Sequence, residues 1–169
     1  MNIIKGNLIT LAKEGKFDHI AHGCNCFQSQ SSGLAPQMVE AFQTDEFPME
    51  MDDSLDPCER FGSIDGVEHI LGEEFPIFKN VIVWNWYTQY YPGKNFDITA
   101  FKICCKKFAL LHYGDEGPET EFRYKLGLPM IGAGIGGGDW EEISKVITEE
   151  LEPYFDVTIV EWDGTKHIY

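Results

Sequence analysis

Residues 128–151 have the sequence LPMIGAGIGGGDWEEISKVITEEL, and this stretch decides the fold. A short apolar run leads into a loop that holds five glycines, at positions 132, 134, 136, 137 and 138. Asp139 follows the loop and precedes apolar residues at helical spacing. Those residues are Trp140, Ile143, Val146, Ile147 and Leu151. The pattern predicts a buried strand, a glycine loop and an amphipathic helix that Asp139 caps.

The glycine loop ends at a helix N-terminus, where backbone N–H groups and the helix dipole favour a bound phosphate. The chain carries a formal charge of −15, from 13 basic and 28 acidic residues. A field of that sign repels polyanions, so duplex nucleic acid is not expected as a partner. A phosphate bound here would be held locally by amides, which indicates a small phosphorylated ligand.

The 169 residues predict a single domain, over 1–169, with a substantial core. A composition of 43% hydrophobic and 14% aromatic residues argues against disorder. No apolar run approaches the length of a membrane span, and the N-terminus lacks the pattern of a signal peptide. We therefore expect a cytoplasmic protein with no membrane partner, whose five cysteines are reduced.

Strand and helix patterns alternate along the chain. The predicted strands are Met1–Lys5, Asp18–Asn25, Val67–Leu71, Asn80–Tyr87, Leu126–Ile131 and Val157–Trp162. The predicted helices cover 36–42, 97–113 and 140–151, and residues 44–66 are predicted to be a surface excursion with a little helix. This order predicts an α/β fold with a parallel or mixed sheet covered on both faces. Ligands bind such sheets beyond the carboxyl ends of the strands, where the loops 25–34 and 132–138 fall.

Two alternatives compete for the glycine loop. Gly132, Gly134 and Gly137 form a literal G-x-G-x-x-G between a strand and a helix, as in dinucleotide-binding folds. A Rossmann fold normally begins with this unit, whereas here it lies near the C-terminal end. The other alternative is a turn that binds no ligand, and the entropy cost of five glycines argues against it.

The other loop lies within HGCNCFQSQSSGLAPQ, residues 22–37. Cys24 and Cys26 suggest a metal site, but the neighbouring histidines and Cys58 do not have the spacing of a zinc site. We therefore expect neither a metal nor a cofactor. His22 is either a structural residue at the end of a strand or a proton-transfer group.

Four segments together resemble a macrodomain: KGNLI, HIAHGCNCFQSQSSGLAPQM, LPMIGAGIGGGDWEEISKVI and VTIVEW. They occur in the order of that family and extend over nearly the whole chain, with residues 44–125 the least distinctive part. The chain looks most similar to the branch with yeast-type ADP-ribose-1''-phosphate phosphatases and terminal ADP-ribose hydrolases. The resemblance implies a three-layer α/β/α sandwich with a mixed, roughly six-stranded sheet and a cleft for ADP-ribose.

The resemblance also implies roles for individual residues. The ligand-binding positions are Asn7 and Leu8 for adenine, Asn25 for the distal ribose, Gly33 and Leu34 in the first diphosphate loop, Gly132, Gly134, Ile135, Gly136 and Gly137 in the second, and Trp162 beside adenine. The catalytic candidates are His22, Asn25 and Asp139, and the alternative role of Asp139 is that of a helix cap.

The chain departs from the family pattern at several positions. Asn7 replaces the usual adenine-binding aspartate, and Gly136 replaces the aromatic residue of the second loop. One hydrolase branch of the family uses a lysine and an aspartate. The corresponding positions fall in WNWYTQY, which has no lysine, and on Gly136, so this chain lacks both residues. We predict a phosphoesterase that removes the 1''-phosphate from ADP-ribose-1''-phosphate. The alternatives are a non-catalytic ADP-ribose reader and a hydrolase that removes ADP-ribose from a protein or nucleic-acid side chain, with an ADP-ribosylated protein as a partner.

Overall fold

A computed structural model describes residues 1–72 and 79–167. Within them, six strands form one sheet in the order β1-β6-β5-β2-β4-β3. The strands are β1 (Asn2–Gly6), β2 (His19–Asn25), β3 (Ile64–Gly72), β4 (Lys79–Gln89), β5 (Lys125–Pro129) and β6 (Asp156–Trp162). All neighbours pair in parallel except β3, which runs antiparallel to β4.

Helices connect most of the strands. They are α1 (Leu8–Lys13), α2 (Ala35–Phe42), α3 (Pro48–Met51), α4 (Pro57–Arg60), α5 (Ile98–Tyr113) and α6 (Trp140–Glu150), with a 3₁₀ turn at Thr44–Glu46. As predicted, Asp97 caps α5 by accepting a 2.8 Å hydrogen bond from the Ala100 N–H, and Gly114 ends that helix with a positive φ of 65°.

Two apolar cores lie on opposite faces of the sheet. Helices α5 and α6 pack on one face, against buried residues that include Trp86 and Ile159. Helices α1 and α2 pack on the other face, against Val83 and Val160. Because side chains alternate along a strand, β2, β4 and β6 each supply residues to both cores. The predicted three-layer α/β/α sandwich with a mixed six-stranded sheet is confirmed.

Several elements differ from the prediction in their boundaries. Helix α1 was not predicted, since its six residues include the β-branched Ile9 and Thr10. It forms because Leu8, Ile9 and Ala12 are buried against the sheet. Strand β3 begins at Ile64, inside the predicted excursion, and β5 ends at Pro129 because a turn begins at Met130, whose carbonyl accepts from the Ala133 N–H.

The topology brings five carboxyl ends to one edge of the sheet, those of β1, β6, β5, β2 and β4. With neighbouring strands about 4.8 Å apart, this edge is roughly 19 Å wide. The two predicted loops both leave from it. Within the part of the chain that the structure describes, no helix has the length and apolar character needed to cross a lipid bilayer.

Candidate functional site

A cleft of about 590 Å³ opens along this edge of the sheet. It extends from Asn7, just after β1, to Gln89, at the end of β4. The two predicted loops form its walls, and the described residues that line it include neither lysine nor arginine. A concave site of this size, with polar groups at both ends, is typical of a small-molecule site.

The glycine loop, residues 132–138, presents backbone amides to this cleft. In the described residues, the N–H groups of Gly134, Ile135 and Gly136 have no protein acceptor, and all three residues line the cleft. Gly137 departs from the prediction. It does not line the cleft, because its N–H closes the loop by donating to the Gly134 carbonyl at 3.1 Å. Three consecutive amides are thus available for an anion.

The glycines of this loop differ in whether a side chain could replace the hydrogen on Cα. Gly132 has a φ of 75°, and a Cβ there would overlap the Phe96 ring. A Cβ on Gly136 would lie 3.1 Å from the Gly132 carbonyl oxygen. Gly134 has no atom within 4 Å of a Cβ and no positive φ. The fold of the loop therefore requires glycine at 132 and restricts 136, whereas a side chain at 134 meets only open space.

The loop of residues 25–34, called the first loop below, approaches the glycine loop across the cleft. Gly33 has a φ of 66°, and a Cβ there would lie 3.4 Å from the Ile135 Cδ1. Leu34 precedes α2 without a side-chain cap. Among the described residues, the Gly33 and Leu34 N–H groups also have no protein acceptor. Amides from both loops therefore face the same cavity, as the sequence predicts.

Asn25 shapes the first loop through its side-chain amide. Its Oδ1 accepts from the Phe27 N–H at 2.9 Å, and its Nδ2 donates to the Ser29 carbonyl at 2.7 Å. The residue lines the cleft at 9% exposure. One Nδ2 hydrogen remains for a ligand, since a primary amide has two.

His22 lies in the cleft wall, but its imidazole is held by the protein. Its Nε2 lies 2.7 Å from the Asn85 Oδ1, and the Asn85 Nδ2 donates to the Thr44 carbonyl at 2.9 Å. The second bond fixes the orientation of the Asn85 amide. The His22 Nε2 therefore carries the proton that it donates to Oδ1, and Nδ1 keeps its lone pair.

Burial sets the protonation of this histidine. The side chain is 2% exposed, and its Nδ1 has no hydrogen-bond partner in the described structure. Burial lowers the pKa of His22 to about 4, against a smaller opposing effect of the Asn85 hydrogen bond. The ring is therefore neutral at physiological pH, and it can accept a proton but has none to donate from Nδ1.

The segment 44–60 supports the first loop through hydrogen bonds. The Gln30 Nε2 donates to the Thr44 carbonyl at 3.1 Å and to the Glu50 Oε1 at 2.8 Å, and the Thr44 hydroxyl donates to the Gln30 Oε1 at 2.6 Å. The Gln28 Nε2 donates to the Glu50 carbonyl at 2.5 Å. Burial raises the pKa of the Glu50 carboxyl. The predicted excursion is thus a support for a loop that lines the cleft.

Arg60 completes this support. Its side chain is almost fully buried, at 2% exposure, and its guanidinium donates to three backbone carbonyls. The acceptors are those of Met49, Cys26 and Asp52. One cation thus joins the end of β2 to the segment 44–60.

The opposite end of the cleft is built from both ends of the chain. The Asn7 Oδ1 accepts from the Thr10 N–H at 3.1 Å and caps α1, and its Nδ2 donates to the Thr165 carbonyl at 2.9 Å. The Trp162 Nε1 donates to the same carbonyl at 2.6 Å. Most of the Asn7 amide is therefore used structurally, which leaves one N–H for a ligand. Leu8 also lines this end.

Asp139 does not line the cleft, in contrast to the prediction that groups it with His22 and Asn25. Its Oδ1 accepts from the Glu141 N–H at 3.0 Å and caps α6. The alternative role, a helix cap, is the one that the structure shows. A capping carboxylate and a catalytic one cannot be distinguished by sequence, since both precede a helix at a loop.

Several cleft residues were not predicted as site residues. The polar ones are Ser29, Gln30, Ser32, Gln37, Thr88, Gln89 and Glu161. Thr88 and Gln89 directly follow the predicted strand 80–87, whose carboxyl end reaches the same edge as the others. That topological signal was present in the sequence.

The Cys24–Cys26 pair is buried. Burial raises the pKa of both thiols, that of Cys26 to about 12, so both are protonated at neutral pH. In residues 1–72 and 79–167, no three His, Cys, Asp or Glu side chains are grouped to hold a metal ion.

Comparisons with known proteins identify the fold. No family model matches the chain. An uncharacterized 17.5 kDa protein in the tk-vs intergenic region of Enterobacteria phage T4 is 32% identical over 164 residues, 95% of each chain. The macrodomain of Thermus aquaticus DarG has the same fold, with a TM-score of 0.64 over 96% of this chain and 97% of that one, at 21% identity. The chain therefore has the macrodomain fold.

Two further proteins are similar to this chain. ADP-ribose 1''-phosphate phosphatase of Saccharomyces cerevisiae is 23% identical over 171 residues, covering 86% of this chain and 90% of the yeast protein. Thermosipho africanus DarTG, whose structure is a complex with ADP-ribose, matches with a TM-score of 0.63 at 16% identity. That match covers 99% of this macrodomain and 42% of the DarTG chain.

Proposed function

We propose that this macrodomain binds ADP-ribose in the cleft. The observation that carries the proposal is the set of amides without a protein acceptor, Gly134 to Gly136 facing Gly33 and Leu34, in a cleft whose described lining residues include no lysine or arginine. Such amides hold a diphosphate without a lysine cluster. Asn7 and Trp162 lie at the adenine end, and Asn25 donates its remaining N–H to the distal ribose.

Two comparisons support this ligand. The Thermosipho DarTG structure contains ADP-ribose, and the name of the yeast phosphatase states an ADP-ribose derivative as its substrate. An elongated molecule with a diphosphate at its centre matches a cleft roughly 19 Å wide with amides at its middle.

Calorimetric titration with ADP-ribose tests the proposal. We expect a micromolar Kd that changes little at moderate salt, because amides rather than side-chain cations hold the phosphates. Ribose 5-phosphate, which lacks the adenosine, serves as the control and should bind more weakly. Absence of both heat and thermal stabilisation at millimolar ADP-ribose would contradict the proposal.

A second candidate function is hydrolysis of ADP-ribose-1''-phosphate, favoured by the likeness to the yeast phosphatase and by the neutral His22 in the cleft wall, whose Nδ1 is buried without a hydrogen-bond partner. In this reaction a water oxygen bonds to phosphorus while the bond from phosphorus to the oxygen on C1'' breaks. The neutral His22 takes a proton from the water, and the departing oxygen is protonated from solvent. Asn25 orients the ribose. Asp139, outside the cleft, takes no part.

Incubation with ADP-ribose-1''-phosphate and with ADP-ribosylated protein distinguishes the candidates. Phosphate release indicates the phosphatase, ADP-ribose release from protein indicates the ADP-ribosyl hydrolase, and neither product with normal ADP-ribose binding indicates a reader. For the phosphatase, His22→Ala should lower turnover per folded molecule roughly 10²–10⁴-fold with little change in binding. His112→Ala, at a half-buried histidine of α5, is the matched control and should leave turnover unchanged.

A further inference from the structure

Four aromatic side chains meet on the surface at the β4 end of the cleft. Phe27 lies parallel to Tyr91, with ring centroids 5.2 Å apart and an interplanar angle of 9°. Tyr90 contacts Phe27, Phe61 and Tyr91 edge-on, at centroid distances of 5.3, 5.9 and 4.8 Å. Phe27, Phe61 and Tyr91 are 42%, 36% and 56% exposed. These four residues are called the aromatic surface below.

The aromatic surface adjoins the cleft directly. The Cys26 N–H donates to the Tyr90 carbonyl at 3.1 Å, which joins the chain after β2 to the chain after β4. Gln89 lines the cleft, and its Nε2 donates to the Tyr91 carbonyl at 2.8 Å. A group attached to the distal-ribose end of a bound ligand would therefore leave the cleft beside these rings.

The chain next to the aromatic surface is strongly acidic. Residues 45–60 contain seven acidic residues and one basic residue, Arg60, whose buried guanidinium is used by backbone carbonyls. The exposed acids are Asp45, Glu46, Asp52, Asp53, Asp56 and Glu59. Asp53 accepts from Gln28, next to Phe27, and Asp56 acts electrostatically on the Tyr90 hydroxyl. The side chain of the nearby Lys94 packs against Gly137 of the glycine loop and not against these acidic residues.

We propose that the aromatic surface binds a basic peptide segment of the protein that carries the ADP-ribosyl group. The proposal rests on the proposed function, because the cleft must hold the ADP-ribosyl group itself. Contiguous exposed rings mark interaction sites, and arginine or lysine side chains stack on such rings. The acidic border complements a cationic peptide and repels the phosphates of a nucleic acid.

Calorimetry with two ADP-ribosylated peptides tests this surface, one with arginine and lysine flanking the modified residue and one with glutamate and glycine. The basic conjugate should bind about tenfold more tightly than free ADP-ribose, and the acidic conjugate no more tightly. Raising the salt concentration from about 0.05 to 0.5 M should reduce this gain, because the attraction between exposed charges is screened.

Substitutions test whether the gain in affinity for the basic conjugate comes from the aromatic surface and its acidic border. Tyr91→Ala and Asp53→Asn should each reduce the gain for the basic conjugate and leave the affinity for free ADP-ribose unchanged. Asparagine at 53 keeps an oxygen that can accept from Gln28. Phe122→Ala is the matched control, since Phe122 is an aromatic side chain with 59% exposure in the loop before β5. It should preserve the full gain.

The unmodified basic peptide separates this proposal from the function of the cleft. It cannot occupy the cleft, so its weak binding should depend on Tyr91 even in a protein that fails to bind ADP-ribose. The proposal is overturned if neither the basic conjugate nor the unmodified peptide shows binding that depends on Tyr91. Tighter binding of a single-stranded oligonucleotide than of the basic peptide would also overturn it.

Discussion

Gly134 is the residue at which the cleft can be blocked without disturbing the loop. It has open space where a side chain would lie, and its backbone does not require glycine. We expect Gly134→Val to keep the melting temperature of the wild type and to weaken ADP-ribose binding by at least about 100-fold, because the valine occupies the diphosphate position. Thermal melting and calorimetry measure the two effects.

Gly72→Val provides the matched control for this variant. Gly72 also has no atom within 4 Å of a Cβ, but it pairs with Lys79 at the opposite edge of the sheet. The control variant should bind ADP-ribose normally. Normal binding by a folded Gly134→Val variant would show that the glycine loop does not hold the diphosphate.

Asp139 gives the second prediction at the scale of a residue. Because its carboxylate caps α6, Asp139→Ala should cost about 0.5–2 kcal/mol of stability and leave ligand affinity and turnover per folded molecule unchanged. Asp139→Asn keeps an accepting oxygen and should restore most of the stability. Turnover that disappears in both variants, with no change in melting temperature, would instead assign Asp139 to catalysis.

At the scale of elements, the segment 44–60 determines how well the first loop is ordered. Glu50→Ala removes one of the two acceptors of the Gln30 Nε2. We expect it to weaken ADP-ribose binding about tenfold, because the ligand then has to order the loop itself. Glu50→Gln retains an accepting oxygen and should bind like the wild type. Glu46→Ala, at an exposed acid of the same segment, is the control.

Elements were predictable where a local pattern extends over several turns. The helices α5 and α6 have capping residues and apolar periodicity, so the positions of Asp97, Gly114 and Asp139 define their ends. Helix α1 is too short for such a pattern. The contacts of Gln30 with Thr44 and Glu50 join residues 14 and 20 positions apart, and no local pattern encodes them. The sequence therefore predicts which loops line the cleft, but not what supports them.

At the scale of the whole molecule, buried histidines make stability depend on pH. Burial lowers the pKa of His19 and of His22 to about 4, with a smaller contribution from His112 at His19. The unfolded chain, with histidine pKa values near 6.5, binds more protons between about pH 6.5 and 4. Stability is therefore retained above pH 6.5 and lost as the pH falls through this window, by about 3 kcal/mol for His22.

Melting curves between pH 7.5 and 4.5 test this dependence. Glu50 and Asp65, whose carboxyl pKa values are raised by burial, change stability in the opposite direction as the pH falls. The histidine contribution is therefore measured as a difference. His22→Asn should show a flatter decrease in melting temperature between pH 6.5 and 4.5 than the wild type. Parallel curves for the two proteins would contradict the assignment.

The position of Trp162 provides an intrinsic fluorescence probe of the cleft. Of the four tryptophans, Trp84 and Trp86 are 8% and 0% exposed, whereas Trp162 is 62% exposed and lines the cleft. Trp140 is half-buried, and neither it nor the two buried tryptophans lines the cleft. The buried indoles emit at shorter wavelengths than an exposed one. Adenine stacked on Trp162 would quench the long-wavelength emission, so unlabelled protein can be titrated in a fluorimeter, with Trp162→Phe as the blank.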